Sequence, residues 1–410
     1  MTETELMNKL GSLSKVEKGL AFIKEDEAYS IEEQIDLTCI EAPTGHEENK
    51  AAAIAEKFKA AGLEDVHLDG IKNAIGLLRG TDESKTILIE AHMDTVFPFG
   101  SVKERPVIGE DNIIHCPGIS DNTRGCSAVL AVLRAIKESG IKPKYNVIFA
   151  GTAQEEGCGS LGGMKYLLKE HPEITADISI DGSWFTGITF NATGIKTLRY
   201  TFKGKSGHSF GHYGKIAITT HALGRAIAKI SDITLPAEPQ SCCTVTGVYG
   251  GTIEGLHAMP EEVSFIVNYR SNSAEQLVEI GEMVEKAVKE ACREENAKWG
   301  VEEITYSAET LCDAPAGSQE ADTPLVRAFE AMIRYMGEEP ILTKGGCCNS
   351  NVPVGLGIPA VCMGGGSGFE SHVHSLAEQY CVTNTYKLNQ AAYLLLLLAA
   401  GTEETASVFD

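Results

Sequence analysis

Several things are scarce in this sequence, and each scarcity closes a class of function. Its 410 residues carry only 35 Lys+Arg against 57 Asp+Glu, a formal charge of −22. Nucleic-acid affinity rests mainly on clustered cationic side chains, so no nucleic-acid partner is expected. No apolar run approaches the ~20 residues that a membrane-spanning helix needs. The most apolar stretch, AAYLLLLLAA at 391–400, falls well short and reads as a buried helix, so no membrane partner is expected. The first residues mix Glu and Lys with apolar side chains and lack the apolar core of a signal peptide, which makes the cytoplasm the expected compartment. Twelve cysteines are present, but none are spaced as Cys-x-x-Cys. A thiolate zinc ribbon or a thioredoxin-type site is therefore unsupported, and reduced thiols packed as small apolar groups are expected. A Gly-x-x-x-x-Gly-Lys-Ser/Thr loop is absent too, which removes the P-loop reading.

What is present is ordinary globular material. Hydrophobic residues make up 43% and charged residues 22% of the chain, enough for a large core and, at this length, for about two domains. The first half alternates strand and helix. Residues 71–78, 86–91, 146–151 and 178–180 read as strands, and 123–138 has the apolar spacing of a helix. Such alternation predicts an α/β domain, with a mostly parallel sheet and helices on both faces. Near Gly194 the pattern changes to strand 196–203, helix 216–230, strands 244–249 and 263–270, a helix from Ser273 with Gln276 completing a capping box, and a closing strand 303–307. That βαββαβ order predicts an inserted ferredoxin-like α+β domain at 194–308. It divides the first domain into 1–193 and 309–410. The second part holds a helix near 323–335, a strand at 360–363 and the apolar C-terminal helix.

Five short segments place metal-type ligands after strands or in Gly-rich loops: Ala91-His92-Met93-Asp94, Gly118-Ile119-Ser120-Asp121-Asn122, Gln154-Glu155-Glu156-Gly157, Ile180-Asp181-Gly182 and His372-Val373-His374-Ser375. In open α/β sheets, ligands bind beyond the carboxyl ends of the strands, where His92, Glu155, Glu156 and Asp181 fall. Mixed His and carboxylate ligands suit a hard-to-borderline divalent metal, most simply zinc. The acids outnumber the needs of one ion. Two ions sharing a bridging carboxylate would use them, and such pairs serve hydrolytic enzymes.

Taken together these segments resemble the co-catalytic zinc aminopeptidase, carboxypeptidase and deacylase family that includes peptidase T, carnosinase, aminoacylase and acetylornithine deacetylase. Ser206-Gly207-His208-Ser209, Gly250-Gly251-Thr252, Tyr269-Arg270-Ser271 and the run from His374 to Glu378 extend the resemblance over nearly the whole chain. It implies two zinc ions per subunit, with His92, Asp121 and Asp181 on one and Asp121, Glu156 and His374 on the other. His374 is preferred to His372 because Ser375 and Glu378 complete the pattern. Asp94 would orient His92, and Glu155 would be the general base. His208 would reach the partner subunit's site and stabilise an oxyanion, with the inserted domain serving as lid and dimer contact. Helix 216–230 has the amphipathic stripe for such pairing, and a homodimer is expected. Arg270 would bind a substrate carboxylate. Three departures fall where substrate would be held: His257 where the family often has Asn, Asn268 ahead of Tyr269-Arg270 where it has Asp, and Gly345-Gly346-Cys347-Cys348-Asn349 with Asn351 close behind as a further contact.

The leading expectation is a hydrolase of small peptides, peptidase T-like. The alternatives are an N-acyl amino acid deacylase and a non-catalytic metal-binding relative. The Gly207-His208-Ser209-Phe210-Gly211 match to a serine-hydrolase elbow lies outside the parallel sheet and is set aside.

Overall fold

The structure, a computed structural model, describes residues 1–182, 184–365 and 372–410. It divides into two compact units, Met1–Ala192 with Ser318–Asp410, and Thr193–Gly317.

The first unit is built on an eight-stranded sheet. In spatial order its strands are Glu64–Leu68, Ala74–Leu78, Tyr145–Thr152, Asp82–His92, Ile174–Ile180, Ala360–Met363, Gly187–Thr189 and Ile341–Thr343. The four middle strands, from Tyr145–Thr152 to Ala360–Met363, run parallel. Their sequences are apolar without alternation because both sheet faces are covered. Ile87, Ile89 and Ala91 enter the main core, while Glu90 points the other way and accepts a hydrogen bond from Asn349 Nδ2 at 2.8 Å. Helices Thr123–Ser139 and Thr385–Ala400 pack together in the same core. The apolar run at 391–400 is buried along its whole length, as expected for a helix that is hydrophobic all round. Each fully buried Leu there contributes about 2 kcal/mol. No helix among the described residues is long and apolar enough to cross a membrane.

The expected strand at 71–78 starts later, at Ala74. Asp69 Oδ1 takes the N–H groups of Ile71 and Asn73, so those residues form a turn. The N-terminus holds three successive helices, Glu3–Gly11, Ser14–Glu25 and Glu27–Thr38. The first is closed by a capping box in which Thr2 and Glu5 exchange hydrogen bonds.

The second unit has the ferredoxin-like order. Its antiparallel sheet runs Ser241–Gly250, Glu262–Ser271, Gly194–Lys203, Thr305–Ala314, with helices Thr219–Ser231 and Ala274–Trp299 packed against each other and against the sheet. Two expectations change here. The closing strand extends well beyond 307, and Ala314 still pairs with Ile195, so the junction expected at 308 falls inside a strand and the unit runs to Gly317. This strand lies at the sheet edge and is mostly exposed, so side-chain alternation does not mark its length. The helix expected at 216–230 begins at Thr219, because Ile216 and Ile218 are buried against Met259 in an extended approach. Its apolar stripe, Ala222, Leu223, Ala226 and Ile230, is packed in the unit's own core and does not face outward for pairing.

Candidate metal centre

Strand ends bring the site together. Strand Asp82–His92 ends on His92, and Ile174–Ile180 delivers Asp181, whose N–H donates to Met363 O at 2.9 Å. Strand Tyr145–Thr152 leads through Gln154, at φ +55°, into Glu155 and Glu156. Asp121 comes from the loop before helix Thr123–Ser139. Asn122 caps that helix by accepting the Gly125 N–H at 3.0 Å, while its own Nδ2 donates to Ile180 O at 2.8 Å. One side chain thus ties the Asp121 loop to the strand end that carries Asp181.

Asp121 is the hub. His92 Nε2 lies 3.1 Å from its Oδ1, and His374 Nε2 lies 3.1 Å from its Oδ2. His374 Nε2 is also 3.0 Å from Glu156 Oε1, and His92 Nε2 is 3.9 Å from Asp181 Oδ2. Potential ligand atoms of His92, Asp121 and Asp181 lie within 4.8 Å of one another, as do those of Asp121, Glu156 and His374. A third overlapping group joins His92, Glu155 and Glu156. Among the described residues, no Lys or Arg forms an ion pair with any of these side chains.

Two buried acids hold the ligand-bearing backbone. Asp94 accepts the N–H groups of Glu155 and Glu156 at 2.9 and 3.0 Å and the Thr44 hydroxyl at 2.9 Å. The His92 ring turns Nδ1 toward it, 3.1 Å from Asp94 O and 3.5 Å from Oδ1, which leaves Nε2 facing the hub. Glu378 accepts the N–H groups of Gly118, Ser120 and Asp121 at 2.8–3.0 Å.

The electrostatics ask for positive charge at the hub. Burial opposes a charged His92, yet hydrogen bonds to Asp121 and Asp94 carry its pKa well above the histidine range. Hydrogen bonds to Asp121 and Glu156 push His374 up to about 10. Burial, with the charge of Asp121 added, raises Asp181 to about 7. Burial likewise raises Glu155 well above the carboxylate range, although the His92 charge works against it. Burial would also raise Asp121, but the two imidazoles outweigh it and hold its carboxyl far below its usual range. The donor set of two His and three carboxylates fits a pair of divalent cations.

A sequence profile of the peptidase family M20/M25/M40 matches residues 88–399. The chain belongs to this family. As an M20-family metallohydrolase it is 24% identical to YqjE of Bacillus subtilis strain 168 over 383 residues, covering 90% of this chain and 98% of that one. Its fold matches aminopeptidase PepT from Bacillus cereus with a TM-score of 0.72 at 22% identity, and a tripeptidase from Staphylococcus aureus with 0.73 at 23%. Each of these alignments covers 90% of this chain and 97% of the other.

The remaining expected residues of this metallohydrolase fall elsewhere. His208 and His257 lie in the second unit, both exposed: His208 ends a short strand and pairs with Ala258, and His257 is the turn residue just before Ala258. Their rings face each other at 6.3 Å, and Ser209 N donates to His257 O at 2.8 Å, so the structure brings these two residues together. Arg270 is exposed at the end of its strand, and its Nε donates to Asn268 Oδ1 at 3.2 Å. Asn351 is fully buried, and its Oδ1 accepts the Cys348 N–H at 3.2 Å, which closes a turn. His372 is exposed and belongs to none of the metal-ligand groups. The bracing roles of Thr44 and Asn122, and the grip of Glu378 on three N–H groups, go beyond the sequence reading, which used Glu378 only to choose between two histidines.

Proposed function

We propose that this metallohydrolase holds two zinc ions per subunit and cleaves an amide bond in small peptides, most like a di- or tripeptide aminopeptidase. One observation carries the reading: the two oxygens of Asp121 face different histidines at the same 3.1 Å, the arrangement of a carboxylate shared between two cations. His92, Asp121 and Asp181 would hold one ion, and Asp121, Glu156 and His374 the other. When bound, such a pair polarises the scissile carbonyl and makes water a competent nucleophile near neutral pH.

The chain's own groups do the rest. Glu155 is grouped with His92 and Glu156 but lies outside both sets that share Asp121. It takes the proton of the attacking water and passes it to the departing amine. Its raised proton affinity, due first to burial, suits a group that must hold that proton in transit. Asp94 fixes the His92 ring and the backbone of both glutamates. In this reading His208 of the partner subunit donates to the oxyanion, Arg270 pairs with the substrate carboxylate, and His257 completes the substrate contacts, whereas Asn351, fully buried, serves its turn and not the substrate.

The test is metal content together with turnover on tripeptides, dipeptides and N-acetyl amino acids. Two zincs per chain with fastest turnover of small peptides supports the proposal. Turnover confined to N-acetyl amino acids makes the chain a deacylase. A metal-loaded protein inert on the whole panel is a non-catalytic relative.

A further inference from the structure

The first unit carries a groove of about 760 Å³, one rim of which, at Leu376, lies two residues along the chain from His374. Pro98, Phe99, Pro106, Val107, Pro117 and Leu376 supply its apolar lining, and Lys103, Glu104 and Arg105 also line it. Phe99, Val107 and Leu376 are 59%, 75% and 74% exposed. Exposed apolar side chains gathered around a concavity mark a binding surface.

Both walls are continuous with the segments that hold the metal ligands. Leu376 follows His374 by two residues, and Pro117 leads into the Gly118–Asp121 loop gripped by Glu378. These segments are tied together where strand Ile113–His115 pairs with Gln379–Cys381 and Cys116 N donates to Glu378 O at 3.0 Å. The other wall continues from Asp94. Thr95 exchanges backbone hydrogen bonds with the 42–44 segment, whose Thr44 hydroxyl donates to Asp94, and the Phe99 ring rests on His46 at 5.8 Å. The turn beyond is pinned by Glu41, which accepts the N–H groups of Gly100 and Val102 at 2.8 Å. The groove is therefore formed before any ligand enters, and little ordering is left to oppose binding.

We infer that this groove seats an apolar side chain of the substrate, next to the amide cleaved at the metal centre, and so sets the enzyme's preference. The inference rests on the amide-hydrolase reading above. Its volume exceeds one leucine or phenylalanine side chain, so the groove excludes neither by size and selects by polarity.

The experiment has two arms. In the first, the metal-loaded enzyme is assayed on peptides of one length that differ only in one side chain flanking the scissile bond, Leu, Phe, Gly or Asp, varied in turn on either side of it. The expected kcat/KM for Leu and Phe exceeds that for Gly by at least about tenfold at one of the two positions, the scale at which apolar pockets separate alkyl groups. Leu376→Asp should erase most of that ratio, chiefly through KM, and Leu376→Lys should shift preference toward the Asp peptide. In the second arm, free leucine, phenylalanine, glycine and aspartate are tested for thermal stabilisation of the zinc-loaded protein, a readout that needs no turnover. Leucine and phenylalanine should stabilise the wild type more than glycine does, and Leu376→Asp should cancel the difference. Turnover of amides with no apolar preference at either position, or a preference untouched at Leu376→Asp, overturns the groove assignment while leaving the hydrolase reading intact. No turnover of any amide overturns the hydrolase reading, and the binding arm then decides the groove alone. Because Leu376 is mostly exposed, its substitution does not threaten folding.

Discussion

At the scale of single residues, the proposed function separates groups that would hold metal from groups that would move protons. Glu155→Gln is expected to keep its full metal content and lose kcat by about 10²–10⁴-fold, with elemental analysis and steady-state kinetics on one preparation as the check. Loss of half the metal with activity intact would exchange the roles of Glu155 and Glu156. Asp121→Ala should release both ions, whereas His374→Ala should release mainly one, because only Asp121 faces both histidines. A wild-type content near one zinc, unmoved by added metal, would defeat the shared-carboxylate reading. The proposed ligands stand out in the sequence because His92, Glu156 and Asp181 fall at or just past the ends of apolar strand runs, where a solvated surface is not expected. Asn122, Thr44 and the work of Glu378 are less legible. Asn122 and Glu378 act largely on backbone N–H and C=O groups, which every residue offers and no motif records. The buried pair Glu90 and Asp177 is equally silent in sequence, and burial raises the pKa of both above the usual range.

At the scale of elements, the helix Thr123–Ser139 aims the hub. Its first turn lies so close to the sheet that a Cβ on Gly125 would overlap Asn122 Oδ1 and the Ile180 carbonyl, and would meet Ala91 Cβ at 2.9 Å. Gly125→Ala should therefore cost about 1–3 kcal/mol by overpacking and also weaken metal binding, since the helix must back away from the Asp181 strand. Calorimetry and a metal titration of the same variant test this. Wild-type stability with wild-type metal affinity would show that the helix has slack. The parallel strands are readable as continuous apolar runs and this helix by its apolar period. The edge strand Thr305–Ala314 is not, because backbone pairing with Gly194–Lys203 sets its length while its side chains mostly face solvent. Helix Thr219–Ser231 is readable as amphipathic, but its period cannot say whether the apolar stripe meets its own sheet or another subunit. Packing gives it to its own sheet.

At the scale of the whole molecule, removing divalent metal should lower thermal stability, because Asp121, Glu155, Glu156 and Asp181 converge without Lys or Arg partners among the described residues. For metal held at 100 times its Kd, the linkage is worth about 2.7 kcal/mol, read as a fall in Tm on chelation. An unchanged Tm after verified metal removal would count against a site this closely gathered. Assembly offers a second test. If His208 serves the site of its partner, mixing Glu155→Gln and His208→Ala subunits should create dimers with one doubly damaged site and one intact site, and part of the activity should return. No recovery after confirmed subunit exchange would leave His208 with its neighbour His257 as a local contact. The grip of Glu378 on the Asp121 loop reaches further than the folded state. Its carboxylate lies 257 positions downstream of the N–H it holds at Asp121. During synthesis the ribosome has therefore made most of the polypeptide before that loop can be fixed, and His374 emerges just as late. If the proposed residues hold the metal, a nascent chain has no finished hub to load, metal capture would belong to the last moments of translation or follow release, and an abortive product ending before His374 would lack the second proposed position.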